Sequence, residues 1–294
     1  MTSPLIATHR SSPRREAWSQ MRNDLLPVVE QGRLADLVSL LGGDRGAVRA
    51  IDASVSFTVW RIREGATLLH EGKASEALYV VRSGSLKCLK TLEDGYEQVL
   101  SLAQPGELLG FEAFHCGHQP VTAVALEDTT AYALPVRELQ ALRQQCPVLD
   151  RAMQVALSRQ LVRAAETTEM MAAVASEVRL ARFLLWMSSR MAELGQSPRR
   201  LLLRMCRRDI ASLLGVAHET VSRSFTTLAE AGFLRVDNRE VELLDIPRLR
   251  SRARITRRQD DGLATERPAL APLGVNPLLN WRANGQGITV PAVA

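Results

Sequence analysis

The chain has 294 residues, 46% of them hydrophobic, a formal charge of +5 and a pI near 9.4. That excludes a disordered chain, gives room for one large or two ordinary domains, and permits a polyanionic partner without demanding one. No apolar run approaches the roughly 20 residues of a membrane helix, and none follows the basic N-terminus, so neither a span nor a secretory signal is expected and a cytoplasmic location follows.

Residues 1–28, rich in Ser, Pro and Arg, read as a mobile tail with one short helix near Arg15 to Leu26. Gly32 to Leu41 reads as a helix, with Leu34, Leu37, Val38 and Leu41 at helical spacing. The pattern then changes. Short β-prone runs appear at Phe57–Ile62, Thr67–His70, Ala77–Val81, Ser85–Leu89, Gln98–Leu102, Val121–Ala125 and Thr130–Leu134. Glycine turns separate them, at Gly65, Gly72, Gly84, Gly95 and Gly106. Many short strands with such turns predict a small sandwich or barrel over residues 29–135. His115-Cys116-Gly117-His118 is a local cluster of soft ligands, but a closed metal site needs further ligands, so it reads as a polar loop. The four cysteines, Cys88, Cys116, Cys146 and Cys206, form no C-x-x-C pair, so no metal centre or disulfide framework is expected.

Residues 136–173 read as a linker and a long helix. Pro135 to Gln145 forms a short helix, and Pro147 opens a longer one reaching about Ala172. Along it Leu157, Leu161, Ala164, Thr168 and Met171 alternate spacings of four and three, a seam for a parallel coiled coil between two subunits. No acid lies on that seam, so pairing is expected without an activating ligand.

Residues 174–250 read as a second domain. Val178 to Met191 is amphipathic, Leu201 to Met205 is a short strand, and Cys206 to Arg235 is a helix-turn-helix. Ile210, Leu213 and Leu214 mark one face of the first helix, and Gly215 supplies the turn. The second helix repeats apolar residues at Val221, Phe225, Leu228 and Ala229. His218, Glu219, Ser222 and Arg223 lie opposite that stripe, near the N-terminal end. Arginine donates to guanine O6 and N7, glutamate accepts from the cytosine amino group, and serine serves either kind of edge, so this face suits the major groove. Phe233–Val236 and Val241–Leu244, joined by Asp237-Asn238, read as a wing hairpin. Arg199, Arg200, Arg207, Arg208 and Arg235, with Thr220, are placed for phosphates. Residues 251–294, rich in Pro, Ala, Gly and Asn, read as a disordered extension.

The run RRDIASLLGVAHETVSRSFTTLAEAGFL resembles the helix-turn-helix of the Crp–Fnr transcription regulators. Its E-T-V-S-R segment, Glu219 to Arg223, looks like the Fnr and FixK branch, because the cyclic-AMP branch has glycine where Ser222 stands. LYVVRSGSLKCL and PGELLGFEAF resemble the same family's cyclic-nucleotide-binding jelly roll. The resemblance implies an α+β fold: an N-terminal cyclic-nucleotide-binding-like β jelly roll, a long dimerisation helix and a C-terminal winged helix-turn-helix. It implies a homodimer on double-stranded DNA, reading a TTGAT-N4-ATCAA-like palindrome, with RNA polymerase as a further partner. Ala217 departs from the family at the helix N-cap, where serine or threonine is usual.

Cofactors are not expected. The iron–sulfur cysteines of the Fnr branch are missing from residues 1–28, and Tyr132 stands near the fourth position. Pro120 and Val121 stand about where cyclic-AMP receptors place a phosphate-binding Arg-Ser pair. The alternative is a receptor whose roll binds a cyclic nucleotide or haem to control DNA binding. MCRRDI resembles FixK-type proteins, which implies a redox-sensitive Cys206, and the adjacent Arg207 and Arg208 favour its thiolate. No nucleophile–base motif and no G-x-x-x-x-G-K-[ST] loop is present, so an enzyme is not expected.

Overall fold

The computed structural model describes residues 25–48 and 55–255. Two antiparallel sheets form the N-terminal roll. The first runs β1 (Leu25–Arg33), β2 (Ser56–Ile62), β9 (Thr129–Pro135), β4 (Ala77–Ser83), β7 (Leu108–Leu109). The second runs β3 (Thr67–Leu69), β8 (Thr122–Ala125), β5 (Leu86–Thr91), β6 (Glu97–Ala103). Alternation explains the two layers. In β2 the side chains of Phe57, Val59 and Ile62 are buried while Ser56, Thr58 and Arg61 are exposed. Ile62, Val81, Leu86, Cys88 and Ala131 fill the space between the sheets. Burial there pushes the Cys88 thiol up to about 12.

Helices close the other face. α1 (Leu34–Leu40), α3 (Val136–Gln145) and α4 (Pro147–Met171) pack Leu34, Leu37, Leu139, Leu149, Ala152 and Met153 against Val59, Val80 and Leu134. A single turn, α2 (Ala113–Cys116), holds the His-Cys-Gly-His run, and its last turn closes on Gly117 in the left-handed region. Among the described residues no group of three or more His, Cys, Asp or Glu could hold a metal.

The C-terminal domain follows. α5 (Ser176–Glu193) buries Leu180, Phe183, Leu184 and Met187. A sheet of order β10 (Arg200–Leu202), β12 (Glu240–Leu243), β11 (Leu234–Asp237) frames α6 (Arg207–Leu214) and α7 (His218–Glu230). α8 (Ile246–Ala253) ends the described chain.

Several boundaries differ from the sequence reading: the strand expected at Leu201 to Met205 is only Arg200–Leu202, the loop expected at His115 to His118 begins as a helical turn, and β7 was not anticipated. The tail is not irregular to residue 28: Leu25 and Leu26 pair with Ile62 and Arg61 in β1, where a helix near Arg15 to Leu26 was expected. Pro27 is tolerated because β1 is an edge strand. The remainder of that expected helix lies outside the described residues. Gly32 belongs to this strand, not to the following helix. A Cβ there would meet the Tyr132 ring at 2.0 Å, so only glycine lets the strand cross that ring. Finally, residues 251–253 are helical. Leu249 and Ala253, one turn apart, are buried on the second domain, Arg182 donates to the Ala253 carbonyl at 2.8 Å, and Arg252 pairs with Glu177 at 3.0 Å. Two small anchors are too few to register as periodicity. The rest of the expected extension lies outside the described residues.

The two domains share a core. Val99, Leu102 and Leu126 of the roll belong to the same apolar cluster as Leu180, Ile210, Leu213 and Phe225. At its edge, strand β6 docks on α6. Ser212 Oγ accepts from Val99 N–H at 2.8 Å and donates to the Glu97 carbonyl at 3.0 Å. Lys87 Nζ pairs with Asp209 at 2.7 Å, both largely buried. A second link is Glu107, whose buried carboxylate joins Arg163 of α4 and Arg190 of α5, the latter at 2.6 Å. Burial pushes Glu107 up to about 7 against the pull of Arg163.

Replacing Ser212 with alanine strands the buried Val99 N–H. The expected loss is about 1–3 kcal/mol in urea unfolding of the whole chain. Ser222→Ala, on the exposed face of α7, should stay within about 0.5 kcal/mol of the parent.

Candidate nucleic-acid interface

The site is built on α6, a turn and α7. Cys206 caps α6: its Sγ donates to Asp209 Oδ2 at 3.2 Å, while Asp209 reaches back to the Cys206 N–H at 3.4 Å. Gly215, at φ 61°, ends the helix in a left-handed cap, and Val216 N–H returns to the Ala211 carbonyl at 3.0 Å. Arg179 of α5 clamps this corner. Its guanidinium donates to the carbonyls of Leu214 at 2.9 Å, Gly215 at 3.1 Å and Ala173 at 2.7 Å. Nothing in the helical pattern of α5 marks Arg179 for that task.

Ala217 starts α7 with no side-chain cap, which costs about 1 kcal/mol relative to serine or threonine. Glu219 in the first turn offsets part of this through the helix dipole. Val221, Ser224, Phe225 and Leu228 are buried. His218, Glu219, Ser222 and Arg223 are all exposed, and Thr220 is half-buried. Ser224 was not anticipated. Its hydroxyl donates to the Thr220 carbonyl at 2.8 Å and bonds the Ser176 hydroxyl at 3.0 Å, which lets a polar residue sit in the contact between α5 and α7.

The arginines divide into two groups. Arg208, Arg200 and Arg223 are exposed. Arg207 is half-buried: its guanidinium lies 3.4 Å from the Phe225 ring centroid and donates to the Asn238 carbonyl at 3.3 Å. Asn238 turns the wing hairpin at φ 52°. Arg207 therefore ties α6, α7 and the wing together, with its guanidinium on Phe225. The charged group beside that thiol is the Asp209 carboxylate. Arg199 donates to the Leu244 carbonyl at 3.2 Å, and Arg235 pairs with Glu242. Both are exposed at the wing side of the domain.

On α4, Leu157 packs partly against the roll, whereas Leu161 is 74% exposed. Ala164, Thr168 and Met171 also face outward, beside exposed Val162 and Val174. In the roll, Val121 packs against the inter-sheet core, and Pro120 has no N–H to offer. This pair does not fit a cyclic phosphate, which needs an arginine or backbone donors. The cysteines do not fit an iron–sulfur cluster either: Cys88 and Cys146 are buried in different cores, and Cys116 and Cys206 are exposed in different domains. Among the described residues no helix is long and apolar enough to cross a membrane.

Comparison with known proteins agrees with this geometry. Residues 59–146 match the cyclic nucleotide-binding domain, and residues 178–252 match the Crp-like helix-turn-helix domain. The transcriptional regulatory protein btr of Bordetella pertussis is 35% identical over 210 residues, covering 71% of this chain and 86% of that protein. The fumarate and nitrate reduction regulatory protein of Escherichia coli is 33% identical over 182 residues, covering 62% and 73%. The solved structure of FixK2 from Bradyrhizobium japonicum superposes with a TM-score of 0.59 at 27% identity, covering 67% of this chain and 97% of that one. The roll, the long helix and the exposed recognition face thus stand in a chain that belongs to the Crp/Fnr family of DNA-binding transcription regulators.

Proposed function

We propose that the protein acts as a homodimer on a TTGAT-N4-ATCAA-like palindrome, with Glu219, Ser222 and Arg223 of each α7 reading base edges and His218 beside them. The observation that carries this reading is the division of α7: its four polar N-terminal side chains are exposed, while Val221, Phe225 and Leu228 are anchored. Arg208, Arg200, Arg199, Arg235 and Thr220 hold phosphates. Arg207 acts through position, fixing the wing against Phe225. Paired recognition helices would sit about 34 Å apart, one turn of the duplex. The dimer forms through the outward seam from Leu161 to Met171, without iron–sulfur cluster or cyclic AMP. RNA polymerase is the second partner, and the reading assigns no catalytic step.

Cys206 tunes this affinity. Its thiol is exposed at the start of α6. Two equivalents of peroxide take it to a sulfinate, releasing two waters. The new anion would stand against Asp209, whose carboxylate already holds Lys87 of the roll. Repulsion there loosens the cap and the interdomain ion pair, and adds negative charge near the phosphates.

Three outcomes are expected. Arg223→Ala weakens the specific site by about 1–3 kcal/mol and relaxes the preference for guanine, whereas Arg208→Ala lowers the salt slope by about one with no change in sequence preference. Binding measured on a randomised half-site library decides it; full discrimination by the Arg223 variant defeats the assignment. Leu161→Glu yields a monomer by sedimentation at about micromolar concentration, while the parent stays dimeric with nothing added. Peroxide lowers the DNA affinity of the parent but leaves Cys206→Ser unchanged; equal loss in both removes Cys206 from the mechanism.

A further inference from the structure

Between the roll and the C-terminal domain lies a cavity of about 280 Å³. It is separate from the interior of the roll, the place where the cyclic-nucleotide reading would put a ligand. Its floor is apolar: Leu102 and Leu126 from the roll, Phe183 and Met187 from α5, and Leu203 and Met205 just after β10. All six are buried. Its volume is nearly twice the roughly 150 Å³ of a cavity that takes benzene, and ligand sites favour domain seams of this kind.

The mouth differs from the floor in two ways. Leu194 and Leu202 line it yet stay 39% and 38% exposed, so apolar surface remains wet at the entrance. Charge at the mouth is unbalanced: Arg200 and Arg204 face a single carboxylate, Glu127. Glu127 is already engaged, accepting from Ser85 at 2.8 Å and pairing with Arg204 at 3.1 Å. The remaining acceptor demand is that of a guanidinium with no carboxylate of its own at this mouth.

We propose that this cavity is a binding site for a small amphipathic carboxylate, its apolar body on the leucine, methionine and phenylalanine floor and its carboxylate on Arg200, the guanidinium that Glu127 leaves unpaired at the mouth. Because the walls come from both domains, an occupant holds the roll against α5 and β10 in the arrangement described above. This goes beyond the reading of α7 and stands whichever bases that helix contacts; with the cavity filled, Arg200 holds the ligand carboxylate in place of a phosphate.

The test uses the full chain labelled at methionine methyl carbons, titrated with octanoate. Met187, Met191 and Met205 line the cavity, whereas Met153 lies in the core beneath the roll. Saturable shifts are expected at the three cavity methyls and not at Met153, with a dissociation constant of about 1 mM or below. Octanol, which keeps the body and loses the charge, should bind about tenfold more weakly. Arg200→Gln should weaken octanoate by a similar factor while leaving octanol unchanged, and Leu102→Trp, which fills the floor, should abolish both. Arg200→Gln carries the test if the tryptophan variant fails to fold. Absence of saturation at the three methyls, or equal binding of octanol and octanoate, overturns the proposal.

Discussion

The structure depends on the seating of one short helix, α6, between two neighbours. Its C-terminal corner is pinned by Arg179, its outer face supports α7, and its Ser212 hydroxyl satisfies the edge of the roll. β6 is an edge strand, so Val99 N–H and the Glu97 carbonyl have no partner strand on that side. One serine supplies both. The roll and the recognition unit therefore share a hydrogen-bonded and apolar boundary, not a free linker. Any shift of the roll along β6 moves α6, and α7 follows because Phe225 and Val221 pack in the same core.

Charged side chains at this boundary work by position. Lys87 and Asp209 are both more than four-fifths buried, and Asp209 also closes the cap at Cys206. Such a pair is worth little as net stability but fixes register, since removing one partner leaves the other charge buried. Glu107 does the same between the roll, α4 and α5. Arg207 extends the principle to the wing, where a flat guanidinium covers Phe225 and holds the Asn238 turn. A surface rich in arginine is thus part scaffold and part exposed charge, and composition does not separate the two.

Legibility in the sequence followed the length and period of each element. α7 is amphipathic over 13 residues, so its inner and outer faces could be assigned from spacing. The strands expected from Phe57 to Leu134 each met a strand in the structure, most of them bounded closely by glycine turns. β1 and α8 escaped, the first since a proline and a glycine interrupt it, the second since two apolar anchors make no period. Ser224 and Ser212 escaped for a different reason. A serine in a helix is read as solvated until the distant acceptor it meets is known.

Taken alone, the amino-acid order determined the family resemblance, the two-domain plan, the turn at Gly215, the missing cap at Ala217 and the polar face of α7. The turn and the polar face arise from neighbours within a turn or two, where side-chain period and backbone preference are local; the family and the missing cap follow from the resemblance. The folded chain alone decided which arginines are anchored and which are exposed, that the Cys206 thiol meets the Asp209 carboxylate, and that a cavity opens between the domains. The boundary between the domains joins residues more than a hundred positions apart, such as Lys87 with Asp209 and Val99 with Ser212, and no period in a sequence records a contact made by the closing of a long loop.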